Sequence, residues 1–161
     1  MLTELVNLLT NGALDSDELD EIAEQISAAP SDPYYEWTGG DDTIAIACEL
    51  VEELEEFAAT SDKIDELHEQ IQDMFDADFP DFPFGQANAP IDLLSYFDWL
   101  DAELAQREAG QGRYVAICLD SGADDRLSVF LVYAKDQERV LALAHGLGLR
   151  MYRPRDVYAK S

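Results

Sequence analysis

Apolar residues recur at helical spacing through the first two-thirds of the chain and in unbroken runs through the last third. Leu2, Leu5, Val6 and Leu9 share one face of a short helix over 2–11, with Gly12 placed to stop it. A second helix is expected over 16–28, striped by Leu19, Ile22, Ala23 and Ile26. Asp15 and Glu18 have capping-box spacing at its start, and Pro30 and Pro33 end it. Residues 34–37, Tyr-Tyr-Glu-Trp, read as a short strand. Gly39-Gly40-Asp41-Asp42 then turns into the most strongly patterned helix, 43–59, on which Ile44, Ala47, Cys48, Val51, Leu54 and Ala58 recur. Ser61 or Asp62 caps a further helix over 62–76, with Ile64, Leu67, Ile71 and Met74 inward. Prolines and Gly85 make 77–90 a loop, and Pro90 opens a helix over 91–107.

Past Gly110-Gln111-Gly112 the texture changes. Residues 114–119 and 127–134 are apolar β runs joined by an Asp-rich turn at 120–125. A helix over 136–146, capped by Asp136 and stopped by Gly146, leads to a third strand at 149–153. A hairpin followed by a β–α–β step predicts that the last two strands are parallel through a right-handed crossover. The expectation is one α+β (mixed α/β) domain over 1–161. Its acidic helical part, 1–109, packs against a small C-terminal β-β-α-β sheet, 110–155.

Charge alters this ordinary picture. The chain carries 35 acidic residues against 10 basic ones, a formal charge of −25, with a pI near 4.1. Residues 1–106 hold 28 of the acids and a single base, Lys63, whereas 107–161 is nearly neutral. At 47% hydrophobic residues the chain has ample material for a core, so the acidity is not that of a disordered segment. Such asymmetry bears on partners and solubility rather than on fold. The start of the chain lacks the pattern of a signal peptide, and no apolar stretch has membrane-spanning length. Cys48 and Cys118 both sit in apolar segments, which suits buried thiols in a reducing cytoplasm. Direct nucleic-acid binding is not expected, because phosphate contacts need clustered bases. Arg150, Arg153 and Arg155 are expected to face the protein's own acids.

The candidate chemistry is sparse. Asp41 and Asp42 sit where a helix start favours anionic caps. Asp76, Asp78 and Asp81 do not follow the spacing of a calcium loop, since its sixth position falls on Asp81 and its twelfth on Ala87. Asp120, Asp124 and Asp125 suit a turn in which carboxylates take backbone N–H groups. His68 and His145 lie on separate helices, and no nucleophile elbow, phosphate loop or zinc pattern occurs. No cofactor, metal or catalytic residue is assigned. The most informative feature is the acid face Glu49, Glu52, Glu53 and Glu56 on helix 43–59. Its pairs at i,i+4 repel, and its position at a helix C-terminus disfavours anions. In residues 73–84, Phe75, Phe79, Phe82 and Phe84 alternate with acids; core anchoring is the expected role, recognition the alternative.

Phe97-Asp98-Trp99-Leu100, the run Tyr114-Val115-Ala116-Ile117-Cys118-Leu119-Asp120-Ser121-Gly122-Ala123-Asp124-Asp125, and the continuation through Leu147-Gly148-Leu149 resemble a bacterial family known only as a domain of unknown function. That resemblance covers residues 96–154. It implies a closing hairpin, helix and strand and a bacterial cytoplasmic origin, and it supplies no activity. Three readings follow. The leading one is a non-enzymatic protein-interaction domain presenting Glu49, Glu52, Glu53, Glu56, Asp76, Asp78 and Asp81 to a basic protein, as immunity proteins or nucleic-acid mimics do. The others are a small metal-dependent enzyme using carboxylates at 39–42 or 120–125, and a housekeeping domain whose acidity serves solubility or a saline cytoplasm.

Overall fold

The computed structural model describes residues 1–75, 79–81, 92–107 and 112–158. In chain order these form α1 (Leu2–Leu9), α2 (Ser16–Ala28), α3 (Asp42–Glu53), β1 (Ala58–Ser61), α4 (Ile64–Asp73), α5 (Leu93–Ala105), β2 (Tyr114–Asp120), β3 (Leu127–Tyr133), α6 (Gln137–Gly146), β4 (Arg150–Tyr152) and α7 (Pro154–Tyr158). The fold is mixed α+β. Its four strands run in the order β1-β3-β2-β4, every neighbouring pair antiparallel.

The unbroken apolar text of β2 and β3 has a simple cause: both faces of the sheet are covered. Val115, Ile117, Leu119, Phe130, Val132 and Met151 face one way, against Leu5 and Leu9 of α1, Ile26 of α2, Leu50 of α3 and Val140 of α6. Ala116, Cys118, Val129 and Leu131 face the other way, against Leu67 and Ile71 of α4 and Tyr96, Leu100 and Leu104 of α5. The sheet is thus the middle layer between two helical layers.

Helix starts follow local chemistry. The Asp15–Glu18 capping box forms at α2, with Glu18 N–H to Asp15 Oδ1 at 2.8 Å. Asp41 caps α3, accepting from the N–H groups of Thr43 and Ile44 and from the Thr43 hydroxyl at 2.6 Å. Asp92 caps α5 through Ser95 N–H at 2.7 Å, so that helix begins later than the 91 expected; Pro90 lies outside the described residues. The cap expected at Ser61 or Asp62 is displaced: Lys63 holds the N-cap position of α4, and Ser61 Oγ takes the Lys63 N–H at 3.0 Å. Asp136 precedes α6 but accepts no capping bond, because the 3₁₀ turn Ala134–Asp136 runs straight into the helix. The chain leaves α6 through Gly148 at φ 77°, with Leu149 N–H donating to Ala144 O at 2.9 Å. A Cβ there would stand 2.8 Å from the Thr43 methyl, so this glycine lets the turn rest against the start of α3.

Two further expectations need correction. Residues 34–37 are not a strand: Asp32 and Pro33 start two 3₁₀ turns over Pro33–Thr38 that meet at Tyr35. The helix expected to reach residue 59 stops at Glu53, followed by a 3₁₀ turn (Glu55–Phe57) and then β1. Glu52, Glu53, Glu55 and Glu56 crowd its negative end, with no base in the last turn. Ala58–Ser61 meanwhile pairs with the otherwise open edge of β3, Ala58 opposite Phe130 and Ser61 opposite Leu127. The parallel relation expected for the last two strands is found: β3 and β4 run in the same direction within one sheet, with β2 lying between them and paired to both. The free side of β3 is already occupied by β1.

Candidate cation-binding cleft

The sheet face under α3 carries apolar side chains until its β1 end, where Thr60 and Ser128 stand opposite each other. Their hydroxyls lie 2.9 Å apart, and Ser128 is buried. Above this polar pair the helical cover gives way to an open cleft of about 810 Å³. Its floor is Ala58, Thr60 and Ser128; one wall is Cys48, Val51, Glu52, Glu55 and Glu56; the other is the β2–β3 turn with Ser121, Asp124 and Arg126. Tyr34, Tyr35 and Trp37, from the two 3₁₀ turns, close a third side.

Those 3₁₀ turns are tied down by Tyr35, which is buried and donates its hydroxyl to Glu49 Oε2 at 2.6 Å. Burial, followed by the Glu49 hydrogen bond and charge, pushes the Tyr35 phenol well above its ordinary range, so it acts as a donor at any working pH. Tyr34 meets Tyr35 edge-on at 4.9 Å between centroids, and Trp37 lies 6.2 Å away. Although anchored through Tyr35, Tyr34 and Trp37 remain 67% and 56% exposed.

The edge of β1 beside the cleft is closed by one side chain. Gln70 Oε1 accepts the Thr60 N–H at 2.8 Å, and Gln70 Nε2 donates to the Thr60 carbonyl at 2.9 Å. The amide takes the place of a fifth strand, which is how an edge is protected from pairing with another chain.

The structure separates the seven residues expected to meet a partner. Glu52 and Glu56 line the cleft, with Glu55 beside them. Glu49 is engaged by Tyr35, and Glu53 lies next to Glu49. Burial first, then the Glu49 charge and hydrogen bond, raises the Glu53 carboxyl above its usual value. Asp81 is exposed and accepts from Gln72 Nε2 at 2.9 Å, away from the cleft. Asp76 and Asp78 lie outside the described residues, as do Phe82 and Phe84. Phe79 is buried and Phe75 stacks on it at 4.6 Å, in keeping with core anchoring.

The other acidic turns are engaged locally. Asp120 accepts from Gly122 N–H at 2.9 Å and pairs with Arg150 at 3.3 Å. Asp124 takes the Arg126 N–H at 2.9 Å and its guanidinium at 2.9 Å. Burial opposes ionisation of Asp124, but Arg126 outweighs it and holds the carboxyl below the usual range. Arg153 and Arg155 pair with Asp156 and Asp98, so the three C-terminal arginines meet the chain's own acids as expected. Among the described residues no three His, Cys, Asp or Glu side chains converge as a metal site would require. Cys118 is fully buried and its thiol is pushed up by that burial. Cys48 departs from the expected buried thiol, being only half-buried in the cleft wall; burial raises its pKa and the Ser121 hydroxyl opposes the rise. His68 is buried between α4 and α5, Nε2 donating to the Pro80 carbonyl at 2.9 Å. In the neutral ring its Nδ1 then accepts from the Tyr96 hydroxyl at 2.8 Å.

Sequence reasoning missed Tyr34, Trp37, Thr60, Gln70 and Arg126 as parts of one site. Asp32-Pro33 was the available signal for a helical start near the aromatics; nothing local marks Thr60 or Gln70. Set against known proteins, the chain matches no family model, no curated sequence and no solved structure. No helix among the described residues is long and apolar enough to cross a membrane.

Proposed function

We propose that this chain is a non-enzymatic protein-interaction domain that presents an acidic surface to a basic protein. The observation that carries this is the cleft itself: Glu52, Glu55 and Glu56 line a concave surface beside exposed Tyr34 and Trp37. Exposed aromatics are favoured at interfaces, and clustered carboxylates steer a cationic partner into encounter. Among the described residues none of these three glutamates has an ion-pair partner, while seven ion pairs engage acids elsewhere.

The test is capture from native lysate by three proteins: wild type, a Glu52→Gln/Glu55→Gln/Glu56→Gln variant, and an Asp17→Asn/Asp20→Asn/Glu24→Gln control on the exposed side of α2. A basic protein retained by wild type and control, lost by the cleft variant and released by about 0.5 M salt supports the function. Equal retention by all three proteins refutes it.

A further inference from the structure

We infer that the cleft receives an arginine side chain, its guanidinium stacked on Tyr34 and Trp37 and forked onto Glu52 and Glu55. This rests on the acidic-surface reading above and names where and how that surface recognises its partner.

Charge points to a cation. Arg126 is the base in the cleft lining, and it is held by Asp124 at 2.9 Å. The three glutamates opposite are therefore uncompensated among the described residues. Glu52 stands in the last turn of α3, which holds no base, and Glu55 and Glu56 in the 3₁₀ turn that follows it, where the helix carbonyls add negative potential. The rings provide the second, independent observation. Tyr34 and Trp37 keep most of their surface in water, although Tyr35 between them is buried. Ring faces attract a cation, most strongly when the contact excludes water.

The shape of the site selects among cations. A guanidinium is planar: it stacks on a ring and donates in-plane to a carboxylate at the same time, whereas an ammonium is a compact, strongly hydrated point charge. The volume of about 810 Å³ accommodates a side chain together with its flanking backbone. On the floor, the bond between Thr60 and Ser128 uses one of two hydroxyl hydrogens and leaves the other for an incoming carbonyl. Strand addition is the competing mode of peptide binding, and Gln70 already occupies the Thr60 backbone groups it would need. The occupant enters as a side chain, not as a fifth strand.

The experiment uses the full chain at near-physiological salt, with three probes of similar charge: tetra-arginine amide, tetra-lysine amide and spermine. Affinity is read by calorimetry and location by the Trp37 indole N–H resonance. Tetra-arginine should bind several-fold more tightly than the other two and shift that resonance. Trp37→Ala, which leaves the charge unchanged, should weaken it about tenfold, and Trp37→Phe should restore most of the loss. Because Trp37 is exposed, an unchanged melting temperature checks that both variants are folded. Unchanged affinity in Trp37→Ala overturns the cleft as the receptor while leaving the acidic-surface reading intact. Spermine or tetra-lysine binding as tightly, with the same dependence on Trp37, overturns the arginine assignment. Failure of all three probes to bind overturns both proposals.

Discussion

Replacing Glu53 by Gln should stabilise the fold at neutral pH, and the structure says why and over which pH range. Glu53 closes α3, where the helix dipole opposes an anion, and it lies one turn from Glu49; burial first, and then the Glu49 charge, raises its carboxyl above the usual value. Each like-charge i,i+4 pair costs a few tenths of a kcal/mol. An anion at a helix C-terminus costs about 0.3–1 kcal/mol. Glu53 is partly exposed, so solvent screening keeps the combined gain to about 0.5–1 kcal/mol. For a chain of this size that is a rise of about 1–4 °C in melting temperature. The sign in pH follows from the raised carboxyl. Its favourable contribution is fully present below the unfolded value of 4.5 and is lost as pH rises through the higher folded value. The advantage of Gln should therefore be full at pH 7 and shrink toward zero as pH falls below that window, where Glu53 is protonated in both states. Thermal melts of both proteins across the range provide the assay. A Gln variant that is less stable at pH 7, or whose advantage persists unchanged in acid, refutes this account of the helix end.

Gln70→Ala removes both hydrogen bonds to Thr60. It should cost about 1–3 kcal/mol in urea unfolding and, by uncovering the β1 edge, produce concentration-dependent association visible by light scattering. A Gln70→Ala protein that stays monomeric at unchanged stability would show that the amide guards nothing. Salt separates an acidic docking surface from adaptation to a saline interior. Added salt should raise the melting temperature and then level off near physiological strength, where the Debye length is about 8 Å. Stability that keeps climbing into the molar range would favour salt adaptation.

The readable parts of this chain were those whose physics is local. The Asp15–Glu18 box, the Asp41 cap, the amphipathic α2 and α4 and the apolar hairpin β2–β3 all depend on residues within a few positions of one another. That Arg150, Arg153 and Arg155 would meet acids was legible from composition, since a chain this acidic leaves few arginines without a carboxylate nearby; that Arg150 meets Asp120 was set by the β2–β4 register. Ala58–Ser61 shows the limit. Its alanines continue the helical pattern of α3, yet a run of glutamates weakens the helix end, and the open edge of β3, some 70 residues away, supplies better hydrogen bonds. The same displacement put β4 on β2. The cleft was illegible for a related reason: Tyr34, Glu52, Gln70, Arg126 and Ser128 share no spacing, and only the packing of the 3₁₀ turns, α3, α4 and the hairpin brings them together. The sequence by itself determined the alternation of charge and apolar surface, the capped starts of α2 and α3 and the two central strands, because short-range sterics, capping and burial periodicity act within a segment. Tertiary structure alone decided which edge each strand found and which glutamates faced the cleft, because those depend on long-range competition for hydrogen bonds and buried area.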